Sequence, residues 1–274
     1  MTIQELHDHL YELLCVIDSI CQKENVKYFL GGGTELGSVR EKNFIQWDDD
    51  ADIGVRVEDY NSFKRAMMDN LPSYMQFIEP QELSPFFYDF VIRIVDKRYL
   101  LRSNTDENRA YKNYQNYVGV DVFICCGCPA GKIRQSIFIF TNKMLYGMGM
   151  AFRYSIDLKK YSLIELFEIK LSCLLGRLYS GKTPDRTIKA WFRLINRIQA
   201  SKSGWRLCAN TSPQKFYMKP MPETWFEGTD YGVLRGKSFP IISGHHEKLQ
   251  LIYGDYMTPE RNPEKYITHI DADI

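Results

Sequence analysis

Long apolar runs are missing from this 274-residue chain. A membrane-spanning helix needs ~18 uninterrupted apolar residues, and the best stretch, Ile137 to Ala151, is broken by Asn142 and Lys143. The N-terminus, MTIQELHDHL, is acidic where a secretion signal needs a basic start and an apolar centre. These absences point to a protein that is made in the cytoplasm and stays there. Paired metal-binding cysteines are missing as well. The seven cysteines are odd in number and irregularly spaced, and no second Cys or His pair follows Cys125, Cys126 and Cys128 at zinc-ribbon spacing. A chain of this length builds a core without disulfide staples, so a metal or redox role for that cluster is the lesser reading. Asn210-Thr211-Ser212 matches a glycosylation sequon, which has no meaning without export. Repeats and low-complexity segments are absent too. With 45% hydrophobic and 25% charged residues, disorder, collagen-like repeats and simple coiled coils are excluded.

What is present is an uneven distribution of charge. Residues 1–130 carry 13 Lys/Arg against 21 Asp/Glu, a net −8; residues 131–206 carry 15 against 4, a net +11; residues 207–274 carry 7 against 9, a net −2. The basic middle third reads as helical. Thr183-Pro184 looks like an N-cap followed by proline at the first helical position. From there Arg186, Lys189, Arg193 and Arg197 share one face, and Ile188, Trp191, Ile195 and Ile198 the opposite one. Leu163 to Leu178 is richer in leucine and isoleucine and is expected to be more deeply buried. The basic face is either a solvated surface or one that docks on anionic lipid or a polyanionic glycan. No nucleic-acid motif accompanies it.

Elsewhere residues 3–23 have the period of an amphipathic helix, with Leu6, Leu10, Leu13, Leu14, Ile17 and Ile20 on one side. Val26 to Leu30 and Asp52 to Val57 read as strands, Asp59 to Asn70 as a helix, and Phe86 to Val95 and Val118 to Cys125 as apolar strands. The C-terminal stretch reads as loop up to a helix around His245 to Tyr253. Strands confined to the first half, followed by a helical block, give an α+β fold.

The chemistry concentrates in residues 28–56, YFLGGGTELGSVREKNFIQWDDDADIGVR. A strand runs into three glycines, a short helix follows, and an acidic cluster leads into a second strand. Glycines at a strand-to-helix turn let the backbone approach a phosphate, and the helix N-terminus offers it free N–H groups. On extended backbone Asp48, Asp50 and Asp52 project to one face while Asp49 points away. Carboxylates so close repel, and their hard oxygens suit Mg²⁺ or Mn²⁺ as counter-charge. Asp121 is a single carboxylate in the apolar strand VGVDVFI, where an unpaired charge is expensive. Two readings stand: it completes a metal site beside Asp50 and Asp52, or it pairs with an arginine such as Arg93.

The order Gly-Gly, Asp-x-Asp and a lone later Asp is the layout of the nucleotidyltransferase superfamily. More narrowly, Gly32, Gly33, Thr34, Leu36, Gly37, Arg40, Trp47, Asp48, Asp49, Asp50 and Asp52 closely resemble, in order and spacing, the signature of the LicD family of phosphorylcholine transferases. Leu249 to Met257 with Pro259 is similar to that family's closing Tyr-Gly motif. This chain departs from it at Gln46, where the family usually has proline, and His245 and His246 match no family role.

The resemblance implies a nucleotidyltransferase-like mixed sheet with flanking helices over residues 1–130 and a C-terminal segment, 207–274, packing back on the core; charge and helical period set the basic helical subdomain, 131–206, between them. It implies transfer of a phospho-alcohol, most often phosphocholine, from a CDP-linked donor such as CDP-choline to a hydroxyl of a cell-surface glycan or its lipid-linked precursor. Asp50 and Asp52 would hold Mg²⁺ (or Mn²⁺), with Asp48 in the same cluster. Asp121 would complete the metal set or take the proton of the attacking hydroxyl. Gly32, Gly33 and Thr34, with Gly37 in the same turn and helix, would hold phosphate oxygens. Arg40 would either offset charge on the departing CMP or form an ion pair within the fold. Trp47 would offer choline an aromatic face or simply pack. Work on the inner face of the membrane would suit the basic helices. Two other activities fit the same residues: a nucleotidyltransferase moving NMP from an NTP to a small acceptor, and a non-catalytic protein gripping a glycan or membrane.

Three further patterns fail on context. Gly176 to Thr183 fits the P-loop spelling, but it follows residues of helical period rather than a strand. The acidic run has Ile53 and Asp59 where a calcium loop needs Gly and Glu. The glycine run has Leu36 where a dinucleotide fingerprint needs its last glycine.

Overall fold

The computed structural model describes residues 1–157, 159, 161–208 and 218–259; the sequon Asn210-Thr211-Ser212 lies outside them. The amphipathic helix α1 (Ile3–Lys23) opens the chain under a capping box from Thr2 and Glu5, and its leucine face is buried as its period requires. There follow β1 (Phe29–Leu30), α2 (Gly32–Arg40), β2 (Ala51–Arg56), α3 (Tyr60–Asn70), β3 (Met75–Ile78), β4 (Ile92–Leu100), α4 (Asp106–Ala110) and β5 (Tyr117–Gly127). Three longer helices come next, α5 (Lys132–Gly149), α6 (Leu163–Ser180) and α7 (Asp185–Ile195). The chain closes with α8 (Ala200–Ser203), β6 (Trp205–Cys208), β7 (Met221–Pro222), β8 (Thr229–Leu234), β9 (Lys237–Ile242) and α9 (His245–Tyr253).

Seven strands form one mixed sheet, in the order β1-β2-β5-β4-β3, with β6 and β7 added beyond the far end of β5. β2 and β5 run parallel; their other pairings are antiparallel. Along β5 the residues alternate. Val118, Val120, Val122 and Ile124 are buried against α1 and the core, while Tyr117, Asp121 and Phe123 stand half-exposed on the other face. The fold is α+β, with a mixed sheet and flanking helices.

Four expectations need correction. The strand expected from Phe86 begins only at Ile92. Phe87 and Phe90 are buried from a loop instead, Phe90 stacked on Trp191 at 4.6 Å; an apolar run signals burial, not backbone conformation. Strands are not confined to the first half: β6 begins within the stretch read as helical, and β7 to β9 come from the stretch read as loop. Cys125 and Cys208 face each other across β5 and β6 as a disulfide, so the cysteine cluster includes a staple that chain length alone did not call for. Cys126 and Cys128 are buried thiols, pushed up to about 12 by burial.

The fourth correction concerns α6. Its leucines are not buried: Leu163 is 86% exposed and Phe167 67%. The helix seats itself through small residues, Gly176 and Ser180, which are buried. In α7 Ile188, Trp191 and Ile195 are buried and Arg186, Lys189 and Arg193 exposed, as the period requires; Arg197 and Ile198 lie past its end, and it starts at Asp185, one residue later than expected. Trp191 Nε1 donates to Asn142 Oδ1 at 2.8 Å, which explains the polar residue interrupting the apolar run of α5. Residues 163–180 being helix, Gly176 to Thr183 follows no strand and is not a P-loop.

Candidate active site

Three neighbouring strands place charged residues in one row. Register pairs Arg93 on β4 with Asp121 on β5, and Asp121 with Asp52 on β2. The arginine pairing of Asp121 is present, and it leaves the residue beside Asp52. Asp121 Oδ1 accepts from Arg93 Nε at 2.5 Å, and its strand lies beside the one bearing Asp52, ~4.8 Å away in a sheet. Arg93 is itself pinned, donating to the carbonyl of Tyr114 at 2.6 Å.

The glycine turn closes over this row. Gly31 N donates to the carbonyl of Asp52 at 2.9 Å, and α2 starts at Gly32 with φ +50. A Cβ at Gly32 would collide with the Asp52 carboxylate, and one at Gly33 with that of Asp48. The glycines thus make room for carboxylates, which sit at the positive end of a helix. The Thr34 hydroxyl, fully buried, accepts from Asp52 N at 2.9 Å and fixes the turn against β2. His7 of α1 donates from Nε2 to the Asp48 carbonyl at 2.6 Å, anchoring the acidic loop from behind.

The electrostatics are lopsided. Burial first, then the charges of Asp50, Asp121 and Asp48, push the Asp52 carboxyl well above the usual range. Asp48 is raised likewise by burial and by Asp50 and Asp49, and its Oδ2 is buried with no hydrogen-bond partner. This donor set fits a hard divalent cation in chemistry and in charge: Asp48, Asp50, Asp52 and Asp121 supply only oxygens and repel one another. Among the described residues, no three His, Cys, Asp or Glu side chains converge tightly enough to hold an ion as they stand.

The other residues singled out from the motif sit further back. Arg40 pairs with Glu41 at 2.7 Å and donates to the Tyr256 carbonyl at 2.8 Å, tying α2 to the chain after α9. A Cβ at Gly37 would come within 2.5 Å of the Asn43 carbonyl, so that glycine serves a close backbone crossing. Trp47 packs on a cluster containing Leu36, Ile45, Leu249 and Tyr256. His246 Nδ1 and the Tyr256 hydroxyl hydrogen-bond at 2.8 Å, and His245 Nδ1 lies 3.5 Å from Asp230 Oδ2.

Two groups have no counterpart in the sequence reading. Lys248 of α9 is buried beside the turn, its Nζ 2.5 Å from Glu35 Oε2. It lines an apolar cleft with Phe29, Gly32, Phe123, Cys208 and Met221, running along the site face of β5. A lysine amid HHEKLQLIY carries no local signal of burial. The other is Asp89, whose carboxyl accepts from Val91 N at 2.9 Å and from the Tyr114 hydroxyl at 3.2 Å. Burial, then the Asp121 charge, raises it from 3.8 to about 7. A raised carboxyl stabilises the fold below its unfolded value and loses that contribution as pH climbs through its folded value. Between about pH 4 and pH 7, wild-type melting should therefore fall relative to Asp89→Asn, by on the order of 2 kcal/mol in stability. Parallel melting curves for the two proteins across that window would show that Asp89 ionises normally.

Residues 25–118 match the family model described as LicD/FKTN/FKRP, nucleotidyltransferase domain, a span that holds the glycine turn and the acidic run and stops short of Asp121. The chain is 24% identical over 261 residues to the lipopolysaccharide cholinephosphotransferase LicD of Haemophilus influenzae, covering 94% of this chain and 92% of that protein. It is also 39% identical over 67 residues to an uncharacterized protein of Rickettsia typhi, 24% of this chain and 20% of that one. The glycine turn and the acidic run thus lie in the part of the chain that matches the LicD-type nucleotidyltransferase domain, and the chain as a whole is similar to a LicD cholinephosphotransferase over nearly its full length.

Proposed function

We propose that this protein transfers a phospho-alcohol group, phosphocholine first among the candidates, from a CDP-linked donor to a hydroxyl of a surface glycan or its lipid-linked precursor. The observation that carries this reading is the acidic row, Asp52 and Asp121 on adjacent parallel strands with Asp48 and Asp50 entering from the loop. Likeness over nearly the full length of a lipopolysaccharide cholinephosphotransferase supports the cargo and the acceptor class.

Displacement at phosphorus needs positioning and neutralisation of charge more than covalent help from the protein. Asp50, Asp52 and Asp48 would hold Mg²⁺ or Mn²⁺, which when bound neutralises the donor's diphosphate. Asp121 keeps one oxygen on Arg93 and offers the other to the attacking hydroxyl's proton or to the cation. The N-terminus of α2, with the Asp52 and Asp48 carboxylates against Gly32 and Gly33, lies at the same place.

Calorimetric titration with CDP-choline, CDP-glycerol, CDP-ribitol and CTP, each with and without Mg²⁺, tests this. Metal-dependent binding of one CDP-alcohol is the expected result. Preference for CTP would replace this reading with NMP transfer from a nucleoside triphosphate.

A further inference from the structure

The helices between residues 132 and 180 carry apolar surface that the described residues leave uncovered. On α5, Ile133, Ile137, Phe140 and Met144 recur at i, i+4, i+7 and i+11, and all are exposed, Ile133 to 79%. On α6, Leu163, Phe167, Leu171, Leu174 and Leu178 repeat the pattern. The helices pack closely, since a Cβ at Gly176 would collide with the Met148 carbonyl and one at Gly147 would come within 2.9 Å of Ser172. Two adjoining helices therefore each present a continuous apolar face, where a soluble monomer rarely exposes a contiguous patch beyond a few hundred Å². No helix among the described residues is long and apolar enough to cross a membrane.

We propose that this face lies in the interfacial layer of an anionic lipid bilayer, with α5 and α6 embedded side-on. Charge decides between lipid and a second copy of the chain. Lys132, Arg134 and Lys143 flank the α5 stripe at about 90° on the helical wheel, Lys170 and Arg177 border that of α6 on one side with Glu168 on the other, and residues 131–206 carry a net +11. An isologous dimer would bring two such surfaces together and repel itself. Anionic headgroups complement the surface, while residues 1–130, at −8, are repelled; the two effects together orient the molecule. The apolar residues enter the acyl boundary, and the basic side chains reach back to the headgroups. The inference does not depend on which alcohol the site transfers.

Flotation of the full-length protein with vesicles tests it. Wild type should float with phosphatidylcholine–phosphatidylglycerol vesicles and only weakly with phosphatidylcholine alone. About 1 M salt, which shortens screening to ~3 Å, should weaken the binding without abolishing it. Phe167→Glu with Leu171→Glu on α6 should cut partitioning roughly a hundredfold and leave the melting temperature unchanged. Ile133→Glu with Ile137→Glu on α5 provides an independent pair should the first misfold. The proposal is overturned if either folded variant floats like wild type, if salt alone releases the protein completely, or if wild type is a lipid-free dimer that either variant splits.

Discussion

Asp52→Asn should abolish transfer while leaving the apo-protein at least as stable as wild type. Asp52 is 5% exposed, and its carboxyl is raised by burial and by three neighbouring aspartates, so at neutral pH without metal its charge destabilises the fold. An uncharged amide of the same shape relieves that repulsion, which is worth about 1 kcal/mol of added stability. Neutralising a carboxylate placed to hold the cation should lower turnover by at least ~10³, or ~4 kcal/mol of transition-state stabilisation. Melting curves in EDTA and in Mg²⁺ separate the two effects. Wild type should gain melting temperature with Mg²⁺, and the variant should not. Near-normal turnover, or equal stabilisation of both proteins by Mg²⁺, would remove Asp52 from the metal set.

How much of this was legible in the sequence depends on how local each signal is. Gly32, Gly33 and the run from Asp48 to Asp52 lie within one stretch of chain, and their residue types are costly to replace. Their meaning shifted in one respect: the glycines make way for Asp52 and Asp48 before any phosphate arrives. Asp121 was visible as a charge in an apolar strand, and Arg93 as its alternative partner. Only the register of β4, β5 and β2 shows that Arg93, Asp121 and Asp52 lie in one row.

Lys248 and Asp89 could not be found in this way. Glu35 reaches Lys248, and Tyr114 reaches Asp89, only through tertiary packing, and nothing in the flanking residues marks Lys248 as buried. The α6 helix shows a related limit. Leucine-rich periodicity identifies an amphipathic face but not whether protein or some other phase covers it. In α7 the same periodicity read correctly, because Trp191 has Phe90 and Asn142 to meet.

Lys248→Met should be among the most destabilising single changes in the chain. Glu35 is fully buried on α2; Oε2 accepts from Lys248 Nζ at 2.5 Å, and Oε1 is buried with no partner. Burial already raises the Glu35 carboxyl, with Lys248 opposing it. Removing the ammonium leaves an uncompensated buried acid, a loss of about 3–5 kcal/mol, or on the order of 10 °C in melting for a chain of this size. The double variant Glu35→Leu with Lys248→Met, which removes both charges, should recover most of that stability, since apolar replacement of a buried ion pair is often neutral. It should not recover turnover. Lys248 also favours the ionised form of Asp52, opposing the burial that raises its carboxyl, and lines the cleft beside Gly32, and neither role returns with an apolar pair. Stability regained without activity would place Lys248 in both the fold and the site. Additive losses in the double variant would mean the two side chains act independently, whatever their separation.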